Sequence, residues 1–157
     1  MDEQSLIKFL RESKGKGYAA QDESSWIKDA NGSTTIKYKS GDWSFQDNYF
    51  GGEPYGGRQI VFFKGKPVWI NVYYGHVDEK IQNIKEVYSF LKKALLNPRE
   101  EVPLRGPEEF TEDNYQYRSF LSGNIKNFSL GERISLNGKE IYNATFYGGY
   151  VDQRGED

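Results

Sequence analysis

His76 is the one histidine among 157 residues, and it directly follows Tyr73, Tyr74 and Gly75. An imidazole titrates near neutral pH, so at the end of a strand it is a candidate for proton transfer. Asp42, Asp47 and Glu53 surround an aromatic run that begins at Trp43. Paired carboxylates hydrolyse glycosidic bonds when one acid is held protonated near its partner. Asp47 or Glu53, acting with His76, are therefore the candidate catalytic residues of a small hydrolase-like acid/base enzyme. Period-two alternation places Trp43, Phe45, Asp47 and Tyr49 on one strand face. An ionised acid within an aromatic row needs partners. Either that row lines a pocket, or Asp47 meets a basic residue such as Arg58; a structural ion pair or an exposed edge is the plainer reading.

Other chemistries have less support. Cysteine is absent, which removes disulfides, thiol nucleophiles and thiolate metal sites. His76 and Asp78 offer two metal ligands where the usual sites need three or four, so no metal is expected. The pairs Gly51-Gly52, Gly56-Gly57 and Gly148-Gly149 match no phosphate-loop pattern and are read as turns and bulges. No nucleophile elbow of the Gly-x-Ser-x-Gly type occurs, and nothing in the chain calls for a cofactor. The formal net charge is −2, with Lys and Arg scattered, so duplex nucleic acid is not an expected partner. No window has the roughly 18 apolar residues of a membrane span. Acids stand near the N-terminus where a secretory signal carries bases, which predicts a cytoplasmic protein.

The elements that would position these residues follow from a search for self-similarity. The segment from Gln59 to Gly75 lies over that from Glu132 to Gly148 without a gap, matching Gly65 to Gly138, Lys66 to Lys139, Tyr74 to Tyr147 and Gly75 to Gly148. Each copy reads as strand, tight turn (Lys-Gly-Lys or Asn-Gly-Lys) and strand. Upstream, Asp42 to Gly51 lies over Asn114 to Gly123 with similar aromatic alternation and is read as a first strand of each unit. Apolar spacing predicts a short helix around Leu6, Ile7, Phe9 and Leu10. A longer one carries Ile81, Ile84, Val87, Tyr88, Leu91 and Leu95, with Asp78 as its cap and Asn97-Pro98 as its stop. Residues 20–33 and the proline-punctuated residues 97–113 read as loops. The expected fold is thus one α+β domain over 1–157, with halves of about 2–77 and 78–151 and a flexible tail over 152–157. It is a mainly antiparallel sheet of about six strands with two principal helices, an internal duplication of a helix-plus-three-strand unit whose seam forms a cleft.

Aromatic residues make up 16% of the chain, with 12 Tyr and 10 Phe, mostly explicable as core and cross-strand packing. As binding residues the candidates are Trp43, Phe45, Tyr49, Arg58, Trp69, Tyr74 and Tyr147. With aromatic lining and no catalytic motif, a non-catalytic module for a small molecule or a protein partner is the leading reading, and an acid/base enzyme the alternative. The ligand and the oligomeric state are left open.

The strings GDWSFQDNYFGG, GGRQIVFFKGKPVWINVYYG, PLRGP and GERISLNGKEIYNATFYGG, in that order, resemble the uncharacterised bacterial family numbered 5680 among the domains of unknown function. The resemblance runs from about residue 5 to 151. Members of that family occur alone or behind a helix-turn-helix domain of the XRE repressor type. The resemblance therefore implies an intracellular setting and a regulatory, effector-sensing role, but no activity and no catalytic residues. The chain has no space for the helix-turn-helix portion, so direct DNA binding does not carry over.

Overall fold

A computed structural model describes residues 2–16 and 25–154. Asp2 caps the first helix, accepting from both the backbone N–H and the hydroxyl of Ser5 at 3.0 and 2.8 Å. Its oxygen satisfies donors that have no partner within a helix's first turn. The helix, α1 (Glu3–Lys16), buries Leu6, Ile7, Phe9, Leu10 and Ser13 along one stripe. The second helix, α2 (Ile84–Ala94), buries Val87, Phe90, Leu91 and Ala94. It is shorter than its apolar stripe predicts. Asp78 does not cap it; the Asp78 carboxylate accepts from Lys80 N–H, and its carbonyl from Ile81 N–H, in a separate turn. The cap position belongs to Asn83, and the helix ends at Leu95, before Asn97-Pro98.

Nine strands form one antiparallel sheet among the described residues: β1 (Ile27–Lys28), β2 (Thr34–Ser40), β3 (Trp43–Gly51), β4 (Tyr55–Phe63), β5 (Lys66–Val77), β6 (Glu109–Glu112), β7 (Tyr115–Asn124), β8 (Asn127–Leu136) and β9 (Lys139–Tyr150). Their spatial order is β1-β2-β3-β4-β5-β9-β8-β7-β6. With about 52% strand and 18% helix, the fold is mostly β. This corrects the expected six-stranded α+β architecture. The unit of one helix and three strands is overturned as well, because β1, β2 and β6 extend the sheet beyond it. The reason is local. Thr34–Ser40 and Glu109–Glu112 are too polar to announce themselves, yet each becomes a strand by pairing with an aromatic neighbour, β3 or β7.

The two matching ribbons do share a turn geometry. Lys64 and Gly65 have φ of 51° and 80°, and Asn137 and Gly138 have 50° and 79°. Two successive positive φ values make type I′ turns, whose twist suits a two-residue hairpin. That likeness follows from turn chemistry alone and does not restore the duplicated unit.

Side chains alternate across the sheet, and one of its faces is covered. Phe45, Val61, Trp69, Tyr73, Phe146, Leu130 and Ile134 belong to one core with the apolar stripes of both helices. Phe9 of α1 stacks on Tyr38 and Trp43, and Phe90 of α2 lies against Phe110 and Tyr115. The segment expected to be a plain loop over 97–113 supplies Val102 and Leu104 to that core, each 1% exposed.

Candidate functional site

Between the covered sheet face and the two helices lies a cavity of about 340 Å³, lined by side chains of α1, β2–β5, α2, β9 and the Leu104–Arg105 segment. Its polar floor follows from strand register. Asp47 sits opposite Gln59, and Gln59 opposite Asn71. Gln59 donates to Asp47 Oδ2 at 3.0 Å, and Asn71 donates to Gln59 Oε1 at 3.1 Å. The Tyr73 hydroxyl donates to Asp47 Oδ1 at 2.5 Å. Tyr73 and Tyr49 flank Gly57 in register. A Cβ at Gly57 would stand 2.4 Å from the Asn48 carbonyl and 2.6 Å from Tyr49 Cβ, so glycine permits this close approach. Burial raises the pKa of Asp47, against the lowering effects of Tyr73, Gln59, Lys14 and Arg105. Burial also raises that of Tyr73, as does the Asp47 charge, which keeps the phenol a donor.

Besides Lys92 of α2, Lys14 and Arg105 bring cations to the cavity from outside the sheet. Lys14, on the last turn of α1, donates from Nζ to the backbone carbonyl of Leu104. Enclosure of its ammonium brings its pKa down to about 7, helped by the nearby Arg105 charge and opposed by Asp47 and Glu132. Arg105 forks onto Glu132 on β8, with Nε at 3.1 and 3.0 Å from the two carboxylate oxygens and Nη2 at 2.6 Å from Oε1. Glu132 is wholly buried and also accepts from the hydroxyls of Tyr117 and Tyr142, each at 2.8 Å. Burial opposes the Arg105 charge, but Glu132 outweighs it and holds the guanidinium firmly protonated. Burial and then the Glu132 charge raise the pKa of both Tyr117 and Tyr142.

The network returns to the cavity wall through Tyr55. Its hydroxyl lies 2.5 Å from that of Tyr142, whose own proton goes to Glu132, so Tyr55 is the donor. Gly75 makes room for it, since a Cβ there would stand 2.6 Å from the Tyr55 ring. Apart from Ser13 and Lys92, much of the remaining lining is apolar or aromatic, including Ile36, Phe45, Leu91, Leu95 and Phe146. The Arg105 guanidinium sits 4.9 Å from the Phe146 ring centroid, a cation–π contact.

Of the residues singled out from sequence, Asp47, Phe45 and Tyr49 line this cavity. Trp43 and Trp69 are packing residues: Trp43 joins Phe9 and Phe63, and Trp69 is fully buried with its indole N–H on the Ile125 carbonyl. Arg58, Tyr74, Tyr147 and His76 point to the opposite, uncovered side of the sheet, and Tyr74 and Tyr147 are 56% and 60% exposed. Arg58 therefore cannot partner Asp47. Glu53 accepts from Val77 N–H at 2.7 Å and from the Tyr88 hydroxyl, which makes it a strut between β5 and α2. Asp47, Glu53 and His76 thus do not converge. Among the described residues, no three His, Cys, Asp or Glu side chains come together as a metal site. Nor does the cleft follow the β5/β9 seam; Phe146 is the one wall residue drawn from β6–β9, and Gly148 and Gly149 lie elsewhere. Part of the expected loop over 20–33 is outside the described residues.

Sequence reasoning missed Lys14, Arg105, Gln59 and Tyr73. Tyr73 had a signal: if Trp43, Phe45 and Asp47 face the core, register carries Gln59 and Tyr73 to the same side. Lys14 and Arg105 had none, because the sequence does not say where a helix end or a loop docks.

No helix among the described residues is long and apolar enough to cross a membrane. No curated protein and no solved structure matches the chain. A family model does match, over residues 47–151, and its description is "Domain of unknown function (DUF5680)". That match takes in the floor, the Arg105–Glu132 pair and all of α2, and by it the chain belongs to this family of uncharacterised domains.

Proposed function

We propose that the protein binds a small molecule in the cavity between its sheet and helices, and that this binding rather than chemistry is its task. The observation behind this reading is the cavity itself: about 340 Å³, with aromatic and aliphatic walls and a few polar groups converging on its floor. Small-molecule sites have this make-up, and their volumes begin at about 300 Å³. The polar groups are held by neighbours, Asp47 by Tyr73 and Gln59, Arg105 by Glu132. Such groups orient a ligand without needing to rearrange. The acid/base alternative loses its basis in the separation of His76 from Asp47 by the thickness of the sheet.

Thermal-shift screening against metabolites, nucleotides and sugars tests the proposal. A ligand present at a hundredfold excess over its Kd stabilises the native state by about 2.7 kcal/mol, or about 5–10 °C in Tm for a domain of this size. Ser13 lines the cavity and is buried; Ser13→Leu adds apolar volume there and should abolish the shift. A set of compounds that never raises Tm, or a shift that survives Ser13→Leu, overturns the assignment.

A further inference from the structure

We propose that the ligand carries a carboxylate, received between Lys14 and Arg105, on an apolar body of one ring or a short chain. This rests on the small-molecule reading above and narrows it.

The case begins with which charges are already matched. Among the described residues, three cations, Lys14, Lys92 and Arg105, line the cavity with one carboxylate, Asp47. Arg105 is balanced by Glu132 through Nε and Nη2, and its Nη1 makes no hydrogen bond among the described residues. Asp47 spends its oxygens on two neutral donors, Tyr73 and Gln59. Lys92 is exposed at the rim, where solvent screens it. Lys14 is the exception. Among the described residues its acceptor is a neutral backbone carbonyl, and it forms no ion pair with a carboxylate. An ammonium has three donors, and an enclosed one without an anion is costly. An acceptor with negative charge, entering the cavity, would supply what Lys14 lacks.

The charge balance also selects the kind of anion. One uncompensated ammonium matches a monoanion. A phosphate dianion would leave an excess negative charge close to Asp47, where like charges repel. A carboxylate brings two coplanar oxygens, one for Lys14 and one for the outer edge of the Arg105 guanidinium, which favours such planar acceptors. The rest of the molecule would meet Ile36, Phe45, Leu91, Leu95 and Phe146. Ligand binding should also recharge Lys14. Among the described residues, the ionisable groups that share the cavity lining with it are Asp47 on β3, Tyr55 on β4, Tyr73 on β5, Tyr88 and Lys92 on α2, and Arg105, with the Glu132 charge on β8 also acting on it. Lys14 titrates near 7, so at pH 8 the free protein holds it largely neutral and an arriving carboxylate draws in a proton.

Calorimetry with two matched series decides the matter: 3-phenylpropionate and octanoate, each beside its primary amide, alcohol and amine. The acids should bind at least tenfold more tightly than the amides, alcohols and amines. Lys14→Met should reduce that preference to less than about threefold. Repeating the wild-type titration at pH 8 in buffers of different ionisation enthalpy should show uptake approaching one proton per acid bound, a reading that needs no variant. If alcohols, amides or amines bind as well as the acids, or if no proton is taken up, the carboxylate assignment falls and the small-molecule reading stands. If no member of either series binds, the carboxylate assignment falls, and the small-molecule reading stands or falls on the thermal-shift screen.

Discussion

Replacing Glu132 by Leu should cost about 4–6 kcal/mol, from a broken buried pair and stranded hydroxyls. The structure sets the size of that loss. Glu132 is 0% exposed and takes hydrogen bonds from Arg105, Tyr117 and Tyr142. Removing one partner of a buried ion pair costs about 3–5 kcal/mol, because the other charge stays in place without water. Each stranded phenol adds to this, although Tyr142 can still accept from Tyr55. Against a total stability of about 5–15 kcal/mol for a domain, the variant should be marginal. Arg105→Met should lose less, since the carboxylate keeps its two phenols. The double variant Arg105→Met/Glu132→Leu removes both charges and should lie within about 2 kcal/mol of wild type, because apolar replacements of a buried pair are near neutral. Urea unfolding followed by the fluorescence of buried Trp69 gives the numbers; with an m-value of about 2 kcal/mol/M, Glu132→Leu moves the midpoint by about 2–3 M. The coupling between the two sites should exceed about 2 kcal/mol. Additive single effects, or a Glu132→Leu loss below about 1 kcal/mol, would refute the reasoning.

Two more predictions concern pH and the backbone. Lys14 titrates near 7 in the folded chain against an ordinary 10.5, so between those values the unfolded chain holds more protons and stability rises with pH, by up to about 1.4 kcal/mol per unit. Lys14→Met should therefore stabilise the protein relative to wild type most at pH 6 and progressively less toward pH 9.5; an advantage that does not change over this range would mean that the ammonium is not desolvated. Gly148→Ala sets a Cβ 2.0 Å from the Ile70 carbonyl in the central β5/β9 pair. It should lower stability by more than about 3 kcal/mol in a thermal melt, whereas Gly131→Ala, with nothing within 4 Å, should change it by less than about 1 kcal/mol.

What could be read from the chain in advance was what depends on near neighbours. The hairpins at Lys64-Gly65 and Asn137-Gly138 were legible because positive φ is a demand made by two adjacent residues. The shared face of Trp43, Phe45, Asp47 and Tyr49 was legible because strand alternation is local too. Alternation divides a strand into two faces, however, without saying which one will be covered. Tyr73 and Tyr74 are adjacent, as are Phe146 and Tyr147, and in each pair one side chain entered the core and the other faced outward. Tyr74 and Tyr147 stand on the uncovered face, across the sheet from the cavity. β2 escaped notice because Thr34, Lys37, Lys39 and Ser40 outnumber its apolar residues, and its pairing with β3 became visible only in the folded sheet.

The site's polarity is divided between two kinds of structure, and this bears on how it works. Asp47, Gln59 and Tyr73 stand on three adjacent strands whose register is fixed by continuous pairing. Lys14 and Arg105 come from a helix and a connecting segment that reach the sheet only by docking. Leu6, Ile7, Phe9 and Leu10 hold α1 in place, each contributing about 1.5–3 kcal/mol through burial. The charge on Lys14 opposes the same docking, because it must leave water to reach the Leu104 carbonyl. An anion in the cavity would reverse the sign of that contribution, turning a residue that loosens α1 into one that holds it. Affinity for an acid and closure of α1 on the sheet are then a single equilibrium viewed from two sides, as linkage requires of any ligand that binds only the docked state.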